Sequence, residues 1–198
     1  MKKKLILTIS IILLVLVILL VFRFTALNEL FSGDAEDGMD DYDKRIEVFN
    51  NVYPTDIVIY GEDIPFREAL ITRKITEITE ESLETEKKFQ IVVISDLDGT
   101  ATVTKEELEL LLSYLKQGKC DVYFLGVELF DDMVSAGFSD EMLDENDLAA
   151  GFFLEDNVIW TSSGIWTVSD RQESNDNRIL FSQILVAVWA DRLQEEYQ

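Results

Sequence analysis

The sequence predicts an α/β fold: a three-layer α/β/α sandwich with a mostly parallel sheet, preceded by one transmembrane helix. Three observations carry this prediction. Residues 91–94 are an unbroken β-branched run, which is typical of a strand buried on both faces. A stretch of leucines at helical spacing follows, and residues 121–126 then form a second apolar strand. Residues 5–22 are apolar except for Thr8 and Ser10, and are long enough to span a bilayer as a helix.

The segment between the two apolar strands is predicted to be a helix. Thr104 is a suitable N-cap, and Glu107 three residues later completes a capping box. Gly118 stands where a C-terminal cap glycine belongs. The apolar stripe of this helix consists of Leu108, Leu111, Leu112 and Leu115. Two parallel strands joined by a helix form a crossover unit, which favours a parallel sheet.

The remaining elements follow from the same patterns. Residues 56–61 are predicted to be the first buried strand, and residues 66–78 a helix that begins after Pro65. After the crossover unit we expect, in chain order, a short helix at 128–136, then either a hairpin or two sheet-edge segments at 157–160 and 165–168, and a last helix capped by Asn177.

The chain is predicted to have four parts. They are a basic tail (1–4), a transmembrane helix (5–22), an acidic stalk (23–50) and an extracytoplasmic α/β domain (51–198). A cleaved signal peptide is the rival interpretation of the N-terminus, but no small-x-small cleavage site follows the apolar run. The three lysines at positions 2–4 are expected to stay cytoplasmic, which places the bulk of the chain outside the cell.

Composition excludes several classes of function. The 198 residues include 39 acidic and 17 basic side chains, giving a formal net charge of −22. So acidic a surface repels nucleic acid, and we exclude nucleic-acid binding. The chain has no histidine and a single cysteine, Cys120. Histidine-dependent catalytic triads, histidine or cysteine metal clusters and intrachain disulfides are therefore excluded.

The segment from Asp96 to Thr100, Asp-Leu-Asp-Gly-Thr, resembles motif I of the haloacid-dehalogenase-like phosphatases. The resemblance implies that Asp96 is a nucleophile, that Asp98 is a general acid/base and that both hold magnesium. The rest of that family's site is not matched: no Ser or Thr ends the strand at 121–126, and no lysine follows Lys119. The alternative prediction is a polar loop at the end of a strand.

A wider resemblance covers residues 91–126. The strand, the Thr104-x-Glu-Glu helix start, the glycine at 118 and the second strand are similar to the class I glutamine amidotransferase-like group, whose flavodoxin-like domains include ThuA-like and DJ-1-like proteins. The resemblance implies that scaffold, with a catalytic cysteine after the second strand. Gly126-Val127-Glu128 occupies that place here, and Cys120 lies at the other end of the strand. The resemblance therefore implies the scaffold without the amidotransferase chemistry.

A binding cleft is expected where the parallel strands end, because ligands of α/β sheets bind at the carboxyl ends of the strands. The residues placed there are Gly61, Glu62, Asp96, Asp98, Gly126 and Glu128. Three tryptophans, Trp160, Trp166 and Trp189, are interpreted either as ligand-lining or as packing residues.

These observations favour a single-pass membrane protein that presents a non-catalytic binding or scaffolding domain outside the cell. Its expected partners are membrane lipid, through residues 5–22, and an envelope protein, with no cofactor. One alternative is a magnesium-dependent phosphohydrolase that uses Asp96 and Asp98. Another is a substrate-binding accessory of a transporter.

Overall fold

The computed structural model describes residues 55–64, 70–97, 99–126, 129–140, 144 and 146–162. The chain divides into two units, Met1–Arg45 and Ile46–Gln198, and every described residue belongs to the second. Within the described ranges, no helix has the length and apolar character needed to cross a membrane. The predicted anchor at 5–22, the stalk at 23–50 and the last helix after Asn177 lie outside the described residues.

Six strands form one mixed sheet, accompanied by two helices. In chain order the elements are β1 (Thr55–Gly61), β2 (Thr72–Ile75), β3 (Phe89–Ser95), α1 (Lys105–Lys116), β4 (Asp121–Leu125), α2 (Phe130–Ala136), β5 (Ala149–Glu155) and β6 (Val158–Ser162). The strand order is β2-β1-β3-β4-β5-β6. The first four strands are parallel, whereas β5 is antiparallel to both of its neighbours. The α/β class is thus confirmed, and the parallel arrangement is confined to the four neighbouring strands β2, β1, β3 and β4.

The predicted crossover unit from β3 through α1 to β4 is confirmed. The Thr104 hydroxyl accepts a hydrogen bond from the Glu107 backbone N–H, and the Glu107 carboxylate accepts one from the Thr104 backbone N–H. The four leucines of the predicted stripe are the buried residues of α1. After the helix, Gly118 has a φ of +65°, the left-handed conformation expected of a terminating glycine.

The predicted helix at 66–78 is wrong at residues 72–75, which form β2. The apolar spacing in this segment is compatible with a helix, in which Ile71 would lie on the same face as Ile75 and Ile78, but Ile71 is 64% exposed. Pairing with β1 decides the conformation, because β2 satisfies backbone groups of β1 that would otherwise lie at the edge of the sheet. Residues 65–69 lie outside the described residues.

The predicted pairing of residues 157–160 with 165–168 stays a prediction. Residues 158–160 belong to β6, which pairs with β5, a strand that the local sequence patterns did not predict. Asp156 and Asn157 form the turn with φ of +49° and +63°, the left-handed pair that connects a tight antiparallel hairpin. Residues 165–168 lie outside the described residues.

One face of the sheet carries the main core. Side chains of α1 and α2 join those of alternate strand residues in a single buried cluster, and Phe124, Phe138 and Phe152 meet edge to face in its centre. The ring centroids of these three residues are 5.4–6.0 Å apart. Edge-to-face contacts of this kind add specificity to the free energy of apolar burial. This core holds the two helices against the sheet. Polar residues lie at both ends of the parallel strands, outside the core.

A partly buried polar network, here termed the amino-terminal clasp, joins the starts of three parallel strands. It consists of Asp56, Arg73 and Gln90, each the second residue of its strand. Arg73 donates to both carboxylate oxygens of Asp56, at 2.7–3.1 Å, and to the carbonyl of Ser82 at 2.6 Å. The Gln90 amide donates to Asp56 at 3.0 Å and to the carbonyl of Leu83 at 2.9 Å. The clasp thereby ties β2 and the turn around Ser82 to the centre of the sheet.

Candidate functional site

The carboxyl ends of the parallel strands are held together by close approach of their backbones. Gly61 ends β1 opposite Ser95, with a φ of +92°, and Gly126 follows β4 with a φ of +105°. A Cβ atom at Gly61 would overlap the carbonyl oxygen of Ser95, and one at Gly126 would overlap that of Asp96. Only glycine combines these φ angles with such contacts at no steric cost. Both positions were predicted at this edge, and the structure brings their strands together there.

Asp96 organises the loop that follows β3. This residue is 3% exposed, and one carboxylate oxygen accepts a hydrogen bond of 2.6 Å from the backbone N–H of Ala101. Its own N–H donates to the carbonyl of Leu125, and its carbonyl accepts from the N–H of Gly99. The carboxylate thus closes the 96–101 loop onto itself, in the manner typical of aspartate in turns. Asp96 therefore stabilises the conformation of this loop, whether or not it also takes part in a reaction.

A pocket of about 350 Å³ opens at this edge beside the ends of β1 and β2. We call it the edge pocket, and its lining consists of Tyr60, Gly61, Glu62, Lys74, Ile75, Thr76, Thr100, Ala101 and Thr102. Its volume is near the lower limit of ordinary small-molecule sites, which begin at about 300 Å³. It lies where ligands of α/β sheets bind.

Hydrogen bonds between its lining residues fix the shape of the edge pocket. The Tyr60 hydroxyl donates to the carbonyl of Thr102 at 2.8 Å, which joins β1 to the loop before α1. The Thr100 hydroxyl donates to the Glu62 carboxylate at 3.2 Å across the pocket's rim. The Glu62 backbone N–H donates to the carbonyl of Ser95, which anchors this residue to the end of β3. These bonds join two segments far apart in sequence and hold the two sides of the pocket together.

The electrostatics of the edge pocket combine both signs of charge. The Lys74 ammonium group forms an ion pair of 2.5 Å with Asp63, at the outer side of the lining. Burial raises the pKa of Tyr60 above its ordinary value, and the nearby carboxylates of Glu107 and Glu77 raise it further. The Tyr60 phenol is therefore neutral at physiological pH, and it remains a hydrogen-bond donor.

The structure brings together four of the six residues predicted at the cleft. Gly61 and Glu62 line the edge pocket, and Asp96 fixes the loop carrying two of its other residues. Gly126 packs against the backbone of Asp96, behind the pocket. The two remaining predictions, Asp98 and Glu128, lie outside the described residues.

Sequence reasoning missed most of the lining. The missed residues are Tyr60, Lys74, Ile75, Thr76, Thr100, Ala101 and Thr102. Three of them lie on or just after β2, and a helix at 66–78 would not have placed them beside β1. The threonines at 100 and 102 follow the Asp96 motif directly, so a search of the whole loop would have found them.

Two other groups singled out in the sequence are located by the structure. Cys120 is buried, and burial raises the pKa of its thiol to about 12, so the reactive thiolate is scarce. Trp160 is 52% exposed on β6, away from the lining of the edge pocket, and the other two tryptophans lie outside the described residues.

The acidic residues of the described ranges do not converge on a metal site. These ranges contain no group of three or more acidic, cysteine or histidine side chains that would hold a metal ion. Asp98, the predicted magnesium partner of Asp96, is not among the described residues.

The resemblances to the amidotransferase-like group and to the phosphatase motif stay predictions. In comparisons with known proteins, no family model, no curated protein and no solved structure matches this chain.

Proposed function

We propose that the chain is a membrane-anchored binding protein whose α/β domain faces away from the cytoplasm and does not catalyse a reaction. The observation that carries this proposal is the edge pocket, a preformed polar opening at the carboxyl ends of β1 and β2. Preformed concave sites with a few convergent polar groups are the usual form of small-molecule sites. The pocket's shape depends on bonds such as that from Tyr60 to Thr102, which join separate segments of the fold.

The magnesium-dependent phosphohydrolase alternative draws less support from the described residues. A nucleophilic carboxylate must reach the substrate, whereas Asp96 is buried and binds the backbone of Ala101 at 2.6 Å. The phosphate would also need a cation nearby, and Lys74 at the edge pocket is already paired with Asp63. Binding without chemistry is consistent with both contacts.

The proposed architecture is a three-layer, flavodoxin-like sandwich. Both described helices pack on one face of the sheet. On the opposite face Ile57, Ile59, Val93, Tyr123 and Leu125 are buried as well. Burial of both faces supports a second covering layer, and the amphipathic segment after Asn177 is our candidate for it.

The anchored location is proposed from the sequence, where residues 5–22 supply an apolar span preceded by three lysines. A domain tethered in this way binds its ligand at the membrane surface. An envelope protein, such as a transporter that receives the ligand, is the partner class that this arrangement favours.

The orientation can be tested by cysteine labelling, because the single native thiol is buried. We propose the variant Glu109→Cys, at a side chain that is 61% exposed on α1. A membrane-impermeant maleimide added to intact cells is expected to label this variant and to leave the wild type unlabelled. A second variant, Lys3→Cys, is expected to react only after permeabilisation. Labelling of Lys3→Cys in intact cells, with Glu109→Cys protected, would reverse the proposed orientation.

The binding function can be tested with the full-length chain in nanodiscs. A library of small polar compounds is screened for compounds that raise the melting temperature, with and without magnesium. We expect at least one compound to stabilise the wild type but not Thr100→Trp, in which the indole fills the edge pocket. If the library stabilises both proteins equally or neither, the edge pocket is not a binding site. If magnesium enables hydrolysis of a phosphomonoester and Asp96→Asn abolishes it, the phosphohydrolase alternative replaces the proposal.

A further inference from the structure

The chemistry of the edge pocket narrows the class of ligand. Three threonines line it, together with one carboxylate and one ammonium group. A hydroxyl both donates and accepts hydrogen bonds, a carboxylate accepts only, and an ammonium donates only. The Thr100 oxygen, after donating to Glu62, can still accept. A ligand that fills this lining must therefore offer donors and acceptors on several sides.

Charge disfavours ionic ligands. An anion would compete with Asp63 for the Lys74 ammonium, at 2.5 Å from that carboxylate, in a chain whose formal net charge is −22. A cation that approached Glu62, which already accepts a hydrogen bond from Thr100, would be repelled by the Lys74 ammonium group in the same lining. The carboxylate of a zwitterionic amino acid would also compete with Asp63 for the Lys74 ammonium group. A neutral ligand neither competes for this group nor is repelled by it.

The apolar part of the lining favours an organic ligand that has an apolar face. Tyr60 is half-buried, and its hydroxyl is held by Thr102, so its ring keeps a fixed orientation at the pocket. Ile75, opposite Tyr60 in register, is buried in the core cluster, so the Tyr60 ring supplies the accessible apolar surface of the lining. A ring whose polar groups lie at its rim and whose C–H groups lie on its faces matches this combination.

We infer that the edge pocket binds a small neutral polyhydroxylated compound, of the size of a monosaccharide or a cyclic polyol, an inference that rests on the proposed binding function. The ligand's hydroxyls donate to Glu62 and accept from the Lys74 ammonium, and they exchange hydrogen bonds with the threonines. Its C–H face packs against the Tyr60 ring. The volume of about 350 Å³ suits a single ring.

Calorimetric titration of the full-length chain in nanodiscs tests this inference. The probes are glucose, mannose, myo-inositol and glucitol, with glycine, lysine and inorganic phosphate as comparators. We expect saturable binding of at least one polyol and of no comparator. Glu62→Gln and Thr100→Val are each expected to weaken that binding about tenfold, because the first replaces a charged acceptor oxygen by an amide NH2 group and the second removes a hydroxyl. Glu86→Gln, an exposed carboxylate in the segment before β3, is the matched control and should leave binding unchanged.

The outcomes separate this inference from the proposal on which it rests. Binding of a comparator that Thr100→Val abolishes, with no polyol bound, would overturn the ligand class and leave the binding function standing. Polyol binding that neither lining variant weakens would also overturn the inference, because the ligand would then sit elsewhere. If no probe binds, the ligand class is wrong, and the library screen against Thr100→Trp decides the binding function by itself. Should Glu62→Gln lose its folded melting transition, the affinity of Thr100→Val alone decides whether the ligand occupies the edge pocket.

Discussion

The two ends of the parallel strands use buried aspartates in different ways. At the amino-terminal end, Asp56 binds the side chains of Arg73 and Gln90, and the network ties neighbouring strands together. At the carboxyl-terminal end, Asp96 binds the backbone N–H of Ala101 and shapes a loop at the rim of a pocket. The first carboxylate holds the sheet together, and the second shapes a surface. The burial of an aspartate therefore does not by itself indicate a functional site. The groups to which its carboxylate is hydrogen-bonded must be known as well.

The two ends also differ in how their backbones meet. At the carboxyl-terminal end, glycines at 61 and 126 let separate strands and loops approach within the distance that a side chain would occupy. At the amino-terminal end, long side chains span the gaps instead, as Lys87 does when its ammonium donates to the carbonyl of Thr55 at 2.9 Å. Close backbone contacts therefore join the strands at the carboxyl-terminal end, where Gly61 lines the pocket, while side-chain hydrogen bonds join them at the opposite end.

The largest effect is expected from Gly126→Ala. The new methyl group would overlap the carbonyl of Asp96, and the residue would keep an unfavourable φ of +105°. We expect the free energy of unfolding to fall by about 3 kcal/mol or more, measured by urea denaturation. Gly118→Ala is the matched control, since its φ is also positive but its nearest neighbour is a leucine methyl at 3.7 Å. It should cost only about 1 kcal/mol, and equal losses in both variants would refute the close-contact explanation.

The amino-terminal clasp provides the next effect. Asp56→Asn removes the charge that Arg73 binds with two nitrogens, and the Arg73 side chain is 37% exposed, so solvent moderates the loss. We expect the free energy of unfolding to fall by about 2 kcal/mol at neutral pH. Asp63→Asn breaks the exposed ion pair to Lys74 and should change it by less than about 0.5 kcal/mol. A loss at Asp63 as large as that at Asp56 would contradict the contrast between the partly buried clasp and the exposed ion pair.

The clasp also predicts a dependence on pH. Burial raises the pKa of Asp56, but hydrogen bonds from Arg73 and Gln90 and the charges of Arg73 and Lys87 outweigh it and leave the pKa below its ordinary 3.8. A depressed folded-state pKa contributes stability above the unfolded-state value, and that stability is lost as pH falls through the folded-state value. The stability gap between wild type and Asp56→Asn should therefore be constant at neutral pH and close in acid below pH 3.8. Denaturation series from about pH 6 to about pH 2 measure it, and a gap that widens in acid would reverse the assigned sign.

The smallest changes in stability are expected at two tyrosines, one with a hydrogen-bonded hydroxyl and one without. The Tyr60 hydroxyl donates to Thr102 at the edge pocket, whereas the Tyr123 hydroxyl is buried without a hydrogen-bond partner among the described residues. Burial also raises the pKa of Tyr123, so its phenol stays neutral. Tyr60→Phe should lower the free energy of unfolding by about 1 kcal/mol, and Tyr123→Phe should raise it by a similar amount. Thermal and urea denaturation of the pair decide the point, and a loss in Tyr123→Phe would mean that its hydroxyl is bound to water.

Local patterns were sufficient to predict the crossover unit. The β-branched run of β3, the capping box from Thr104 to Glu107 and the leucine stripe of α1 are short-range signals, and each is confirmed. The position of the cleft residues was also predictable, because the carboxyl ends of parallel strands lie at the same edge of a sheet. Gly61, Asp96 and Gly126 were found in this way.

Pairing with distant residues decided the remainder. The segment at 72–75 has a spacing compatible with a helix, and only the free edge of β1 and the Arg73–Asp56 bond make it a strand. The residues 149–155 pair with both β4 and β6, and no local signal specified those partners.

The sequence by itself therefore determined the α/β class, the order of the central elements and the edge where polar residues collect, because propensity, caps and apolar period act over a few residues. Only the tertiary structure decided that β2 flanks β1, that β5 and β6 extend the sheet by antiparallel pairing and that the edge pocket is lined by threonines, Glu62 and Lys74. Those features depend on contacts between residues far apart in the chain, and the free energy of such contacts cannot be inferred from the sequence of a single segment.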